Sequence, residues 1–351
     1  MAITATNLSS LDGSNGFRLN GVAAGDKLGR SVSNAGDING DGFDDVIIGA
    51  FLADPNGNSS GSSYVVFGKA TGFDAAMDLS SLDGSNGFRL DGVVGYDRSG
   101  RSVSSAGDMN GDGFGDVIIG SYNDFSVNTT YVVFGKSSGF DAAMDLSSLD
   151  GSNGFGLNEV EMRDSAGLSV SGAGDVNGDG FDDVIVGAFH ADANGSSQSG
   201  SSYVVFGKAS GFDAEMNLSS LNGSNGFRLD GAEQGDQSGF SVSGAGDVNG
   251  DGFDDVLIGA YGVDSNGNYS GASYVLFGKA SGFDAAMNLS SLDGNNGFRL
   301  DGIAQGDILG RSVSRWITYN QIIKTITIDI TRITRVDKPI QLKSIISIQI
   351  G

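Results

Sequence analysis

The chain has 351 residues, with 59 glycines, 2 prolines and no cysteine, and its 20 basic against 43 acidic residues leave a formal charge of −23. The lack of cysteine excludes disulfides, thiolate metal sites and cysteine nucleophiles. So acidic a surface repels phosphate backbones and anionic lipid, which argues against a nucleic-acid partner. Hydrophobic residues, at 39%, suffice for a core. Met1 to Ser10 carries neither a basic start nor an apolar stretch, so no secretory signal and no membrane span is expected.

Leu8-Ser9-Ser10-Leu11 recurs at Leu79, Leu146, Leu218 and Leu289, at intervals of 71, 67, 72 and 71 residues. A period of that length signals a stacked or radial array. Repeats run over about 7–78, 79–145, 146–216 and 217–287, with a partial one at 288–314. Within the first repeat four strands are predicted: Phe17 to Leu19, Arg30 to Ser33, Asp45 to Ala50, and Ser63 to Gly68. Val46 to Ile48 and Tyr64 to Phe67 are apolar on consecutive residues instead of alternating, so both faces of these strands must be covered. A four-stranded sheet held between neighbours of its own kind meets that demand, and it describes a blade of a β-propeller. Met77, Met144, Met216 and Met287, each in a Phe-Asp-Ala-x-Met segment, read as plugs under the link between blades.

Between the second and third strands of the repeat lies Gly36-Asp37-Ile38-Asn39-Gly40-Asp41-Gly42-Phe43-Asp44-Asp45. Asp37, Asn39 and Asp41 offer side-chain oxygens at the first, third and fifth positions. Gly42 permits the bend that turns the Phe43 carbonyl inward, and Asp45 closes the cage at the ninth. Ca²⁺ is a hard cation that takes six to eight oxygens at about 2.3–2.6 Å, which this spacing suits. The same arrangement returns as Asp108, Asn110, Asp112, Phe114 and Asp116; as Asp175, Asn177, Asp179, Phe181 and Asp183; and as Asp247, Asn249, Asp251, Phe253 and Asp255. A plain hairpin turn needs two special residues, whereas this run keeps five. About four calcium ions are therefore predicted, offsetting roughly a third of the negative charge. Ile48 stands where a helix-loop-helix hand has its twelfth-position glutamate, and β-type sequence flanks the loop, so that hand is excluded.

The order Gly-x-Ser-Val-Ser, Gly-Asp-x-Asn-Gly-Asp-Gly-Phe-x-Asp-Val-x-Ile-Gly-Ala and Tyr-Val-Val-Phe-Gly resembles the FG-GAP repeat of integrin α-chain propellers. It is similar in particular to bacterial FG-GAP proteins, often large, secreted and calcium-dependent. The resemblance covers residues 7 to about 314. The motif departs in its loosely kept Phe-Gly pair and in Gly49-Ala50, which lacks the following proline. The resemblance implies one calcium per motif-bearing blade, bound in the hairpin loop, with ligands met by loops on the opposite face. Integrin-like propellers have seven blades, so a fragment of a larger ring is an open alternative to a closed five.

The fifth unit keeps Phe298 to Leu300 and Gly310 to Ser314, and then Thr318 and Ile322 stand where the loop aspartates are due. From Arg315 on there are twelve isoleucines and six basic against two acidic residues. Two readings of 315–351 stand: an Ile-rich β-hairpin that completes the fifth blade and caps a sheet edge, or out-of-frame sequence at a truncated end.

His190 is the chain's one histidine and reads as a surface residue, since Ser-His-Asp or histidine-zinc chemistry needs partners the sequence does not supply. Phe43 and its three counterparts read as core, not as a stacking platform. Asp44-Asp45 could suggest paired catalytic carboxylates, but the cage already uses Asp45 and Asp44 should point away from it. Asn58-Ser59-Ser60 and Asn128-Thr129-Thr130 match the glycosylation triplet, as chance allows in so Asn- and Ser-rich a chain. Loops 51–61, 121–130, 188–200 and 261–271 vary most between repeats, which places recognition there. The expectation is an all-β, non-enzymatic, calcium-binding propeller, extracellular or at a cell surface, that contacts a protein or glycan in adhesion. The rivals are an accessory domain of a secreted enzyme and a tile of a surface layer.

Overall fold

Two consecutive apolar strands in every repeat decide the architecture, because each must find cover on both sides. The computed structural model describes residues 7–123, 128–209, 211–280, 282–314 and the strand Thr327–Ile328. Every regular element among these is a β-strand or a single 3₁₀ turn.

After β1 (Arg18–Asn20), the first blade takes β2 (Val32–Gly36), β3 (Asp45–Ala50) and β4 (Ser62–Val66), followed by β5 (Ala76–Asp78) and β6 (Gly87–Asp91). The second takes β7 (Ser102–Gly107), β8 (Asp116–Gly120) and β9 (Thr129–Val133), followed by β10 (Ala143–Asp145) and β11 (Gly154–Asn158). The third takes β12 (Ser169–Gly174), β13 (Asp183–Ala188) and β14 (Ser201–Val205), followed by β15 (Glu215–Asn217) and β16 (Gly226–Asp230). The fourth takes β17 (Ser238–Gly246), β18 (Asp255–Ala260) and β19 (Ala272–Leu276), followed by β20 (Ala286–Asn288) and β21 (Gly297–Asp301). Last, β22 (Val313–Ser314) pairs antiparallel with β23 (Thr327–Ile328).

Sequence repeat and blade are out of phase. The sheets run β2-β3-β4-β6-β10, β7-β8-β9-β11-β15, β12-β13-β14-β16-β20 and β17-β18-β19-β21. The Phe-Arg-Leu strand opening one repeat is thus the fourth, antiparallel strand of the blade before it. The Ala-Met-Asp-type segment at the end of that same repeat adds a short fifth strand in parallel. The methionines expected as plugs are the middle residues of these added strands, with Met144 opposite Leu90 and Met216 opposite Leu157. A stacked phenylalanine pair fixes each addition, Phe88 on Phe140 at 4.1 Å and Phe227 on Phe283 at 4.4 Å. Such pairs contribute about 0.5–1.5 kcal/mol beyond their buried area. Each blade is thereby tied to both ends of the following repeat.

Alternate residues of the inner strands face opposite neighbours. Ile47 and Val65 of the first blade pack with Val103, Val117 and Ile119 of the second, and Ile118 and Val132 pack with Val170, Val184 and Val186 of the third. Ile185 and Val204 repeat the arrangement against Val242, Val256 and Ile258. On the side of the first blade where a preceding blade would lie, Val32 is 61% exposed, whereas its counterparts Val103, Val170 and Val242 are 4–5% exposed. Among the described residues the blades therefore form an open array. The two readings of the 315–351 tail fall outside the described residues except at β23.

Close approach between blades requires glycine at one point of the second strand of a blade. A Cβ on Gly187 would sit 2.0 Å from the Gly239 carbonyl oxygen of the next blade, and Gly49 and Gly259 meet Gly100 and Gly310 the same way. Gly187→Ala should therefore cost about 1–3 kcal/mol through overpacking, read as a lowered midpoint in urea unfolding. Gly21→Ala, whose Cβ would lie at 3.5 Å from Leu28, should leave the midpoint unchanged.

Candidate metal centre

The four predicted loops are the hairpins β2–β3, β7–β8, β12–β13 and β17–β18, so strand polarity puts all of them at one end of the array. Each is entered through a β-bulge at its glycine, Gly36, Gly107, Gly174 or Gly246, which has φ between 68° and 75°. The bulge turns the next residue, the first predicted ligand, into the loop.

Within the first loop the side-chain oxygens hold the backbone in its curl. The Asp41 N–H donates to Asp37 Oδ1 and Asn39 Oδ1, both at 2.9 Å, Gly42 N–H donates to Asp37 Oδ2 at 2.8 Å, and Phe43 N–H to Asp41 Oδ1 at 3.0 Å. The set recurs around Asp108, Asn110 and Asp112, around Asp175, Asn177 and Asp179, and around Asp247, Asn249 and Asp251. The structure thus brings the first, third and fifth positions of every loop together on one short winding of chain.

The ninth position sits deeper. Asp45, Asp116, Asp183 and Asp255 are buried, and each binds two backbone amides: Asp116 Oδ2 accepts from Met109 N–H at 2.8 Å and Oδ1 from Gly135 N–H at 2.9 Å. Burial, and secondarily the like charges of the first- and fifth-position carboxylates, push Asp116 and Asp183 up to about 8 and Asp45 and Asp255 up to about 6. Among the described residues no three acidic or histidine side chains stand close enough together to chelate an ion. One of the two amide bonds ties each ninth carboxylate to the second residue of its own loop, next to the first predicted ligand. The donor set nevertheless suits a hard cation. All its atoms are oxygens, and an ionised carboxylate offers about four lone-pair sites, of which the loop amides take only part.

The predicted core role of the seventh-position aromatics takes a particular form. Phe114, Phe181 and Phe253 lie half-buried over Gly40, Gly111 and Gly178 of the preceding loop, where a Cβ would meet the ring at 2.2–2.3 Å. Phe43 has no preceding loop among the described residues and is 41% exposed.

The FG-GAP repeat model matches residues 28–66, 99–134, 166–205 and 238–276, each span running from the approach to a loop through the third inner strand of a blade. The chain carries four FG-GAP repeats. It is 29% identical over 245 residues to integrin alpha pat-2 of Caenorhabditis elegans, covering 67% of this chain and 18% of that protein. It is 30% identical over 197 residues to integrin alpha-5 of Xenopus laevis, covering 54% of this chain and 17% of that protein. The phosphatidylinositol-glycan-specific phospholipase D of Dictyostelium discoideum is 26% identical over 305 residues, covering 79% of this chain and 29% of that protein. The chain therefore spans less than a third of the length of these relatives.

At the opposite end of the FG-GAP blades, loops 121–123, 159–168 and 189–200 surround a cleft of about 570 Å³. Glu161, Arg163, Asp164, His190 and Asp192 line it. His190, expected on the open surface, is half-buried there with Nδ1 3.1 Å from the Oγ of Ser165. Sequence reading missed this pair because 25 positions and two strands separate the partners. Among the described residues no helix is long and apolar enough to cross a membrane.

A carboxylate raised in the folded state favours folding while it is protonated, and that contribution disappears as pH rises through the folded pKa. Asp116, facing Asp108 and Asp112, and Asp183, facing Asp175 and Asp179, set a window from about 4 to about 8. Hydrogen bonds from Ser85 and Ser152 lower Asp83 and Asp150, which act below that window. In EDTA the thermal midpoint should accordingly fall between pH 6 and pH 8.5, and Asp183→Asn should flatten the slope.

Proposed function

We propose that this chain is a non-enzymatic, calcium-stabilised FG-GAP propeller that works outside the cell, holding one Ca²⁺ in each of four loops and contacting a protein or glycan in adhesion. One observation carries the reading: in every described blade a buried ninth-position carboxylate is bonded to the amide beside its loop's first aspartate and meets the like charges of the first and fifth positions, so that a positive charge there would favour its ionised form. A divalent ion there would offset the desolvation and the mutual repulsion of three carboxylates together. Asp37, Asn39, Asp41, the Phe43 carbonyl and Asp45 are the groups assigned to the first ion, and their counterparts to the other three.

The likeness to integrin α chains, and the integrin-type placement of ligands on the face away from the calcium loops, support adhesion. On that face the cleft at Glu161, Arg163 and His190 and the exposed Val94, Tyr96, Met162 and Ile303 offer polar and apolar contacts side by side. A second reading, the accessory part of a larger secreted enzyme, has the match to the Dictyostelium phospholipase D in its favour.

Extracellular calcium modules bind with Kd on the order of 10⁻⁴–10⁻³ M. At millimolar calcium each site then stabilises the fold by roughly 0.4–1.4 kcal/mol. Four sites supply about 2–6 kcal/mol, against a whole-domain stability of about 5–15 kcal/mol. Millimolar calcium should raise the melting temperature by several degrees over EDTA, and the combined Asp41→Ala, Asp112→Ala, Asp179→Ala and Asp251→Ala variant should lose that gain. Equal melting curves for the native chain with and without calcium would refute the proposal.

A further inference from the structure

The eighth loop position was expected to point away from the metal site of its own loop. Across the blade junction it reaches the neighbouring loop instead. Asp182, from the third loop, accepts a hydrogen bond at Oδ2 from the Asp108 N–H of the second loop, at 2.8 Å. Asp254, from the fourth, accepts from the Asp175 N–H of the third, at 3.0 Å. The return bonds run between the same residues, Asp182 N–H to the Asp108 carbonyl at 3.2 Å and Asp254 N–H to the Asp175 carbonyl at 3.1 Å. Asp108 and Asp175 are the first-position residues of their loops, so each has its main chain gripped on both sides by the next blade.

The sequence makes room for this grip. Gly107 and Gly174 precede the gripped residues, and a Cβ on either would stand 2.1–2.2 Å from the incoming Oδ2. A second strut lies alongside, since Lys208 N–H donates to the Met109 carbonyl at 2.8 Å and Lys279 N–H to the Val176 carbonyl at 3.0 Å. At the first junction the eighth position is Gly115. Its N–H still donates to the Asp37 carbonyl at 3.0 Å and Lys136 N–H to Ile38 at 2.9 Å, but a carboxylate is lacking.

We infer that Asp182 and Asp254 are positioning residues for calcium in the loop of the preceding blade, not in their own, so that the second and third sites depend on the neighbouring blade for the aim of their first ligand. The inference rests on the calcium reading above. Partners that orient a ligand from behind typically change metal affinity by about 10–100-fold when removed. The first site, with Gly115 opposite it, owes nothing to such a carboxylate.

Calcium titration calorimetry of the full chain tests this with a double-mutant cycle. Asp182→Ala should weaken one of the calcium affinities by about tenfold. That loss should vanish when the second loop is disabled by Asp112→Ala and persist when the third is disabled by Asp179→Ala. Asp182→Asn, whose amide oxygen still accepts the Asp108 N–H, should keep most of the affinity, and Asp254→Ala should repeat the pattern one loop further on. A loss that vanishes with Asp179→Ala instead would assign Asp182 to its own loop and overturn the inference. So would unchanged calcium binding with a lower melting temperature in EDTA, which marks a purely structural bond. An absence of calcium uptake by the unmutated chain would refute the calcium reading itself, and is read before any variant.

Discussion

Burial of the inner strands on both faces is the constraint on which the molecule rests. A strand such as Val184 to Val186, apolar on every residue and fully buried, has no solvent-facing side to give up. It is stable only as the middle layer of a stack. That requirement brings sheets together face to face and demands glycines where backbones meet, as at Gly187 and Gly239. The exposed Val32 and Phe43 show what one such face looks like where no described blade covers it.

The chain then adds covalent continuity across the junctions. Because the fourth and fifth strands of a blade come from the start and the end of the next repeat, no blade can leave the stack without breaking pairings in its neighbours. Nearest-neighbour coupling of this kind is what makes repeat arrays cooperative. The hydrogen bonds between loops extend the same principle to one end of the array, where the acidic residues concentrate. Electrostatics and packing are thus opposed there: packing draws the loops together, and their carboxylates repel. A divalent cation in each loop would reconcile the two and would offset about a third of the excess of 23 negative charges.

The opposite end has a different character. Its loops vary in length and content, and they carry the cleft with His190 and Ser165. A rigid stack with an acidic, repetitive base and a varied upper face is suited to recognition, because variation there does not disturb the packing beneath. The similarity to integrin α chains fits this division of labour, with the chain spanning a fraction of those proteins.

By itself the sequence determined the all-β class, the repeat period, the inner strands and the residues that wind each loop. These follow from local rules: consecutive apolar residues, the spacing of oxygens, and glycine where the chain must bend. Only the tertiary structure decided where one blade ends and the next begins, since the Phe-Arg-Leu strand pairs with the preceding repeat and carries the Ala-Met-Asp strand with it, and no local pattern says with which sheet. It alone put Asp116 Oδ1 on the amide of Gly135 and the Asp182 carboxylate on the Asp108 amide. The physical reason is the same in each case. Hydrogen bonds between residues about 20 or 70 positions apart depend on how the sheets stack, and spacing along the chain carries no record of that.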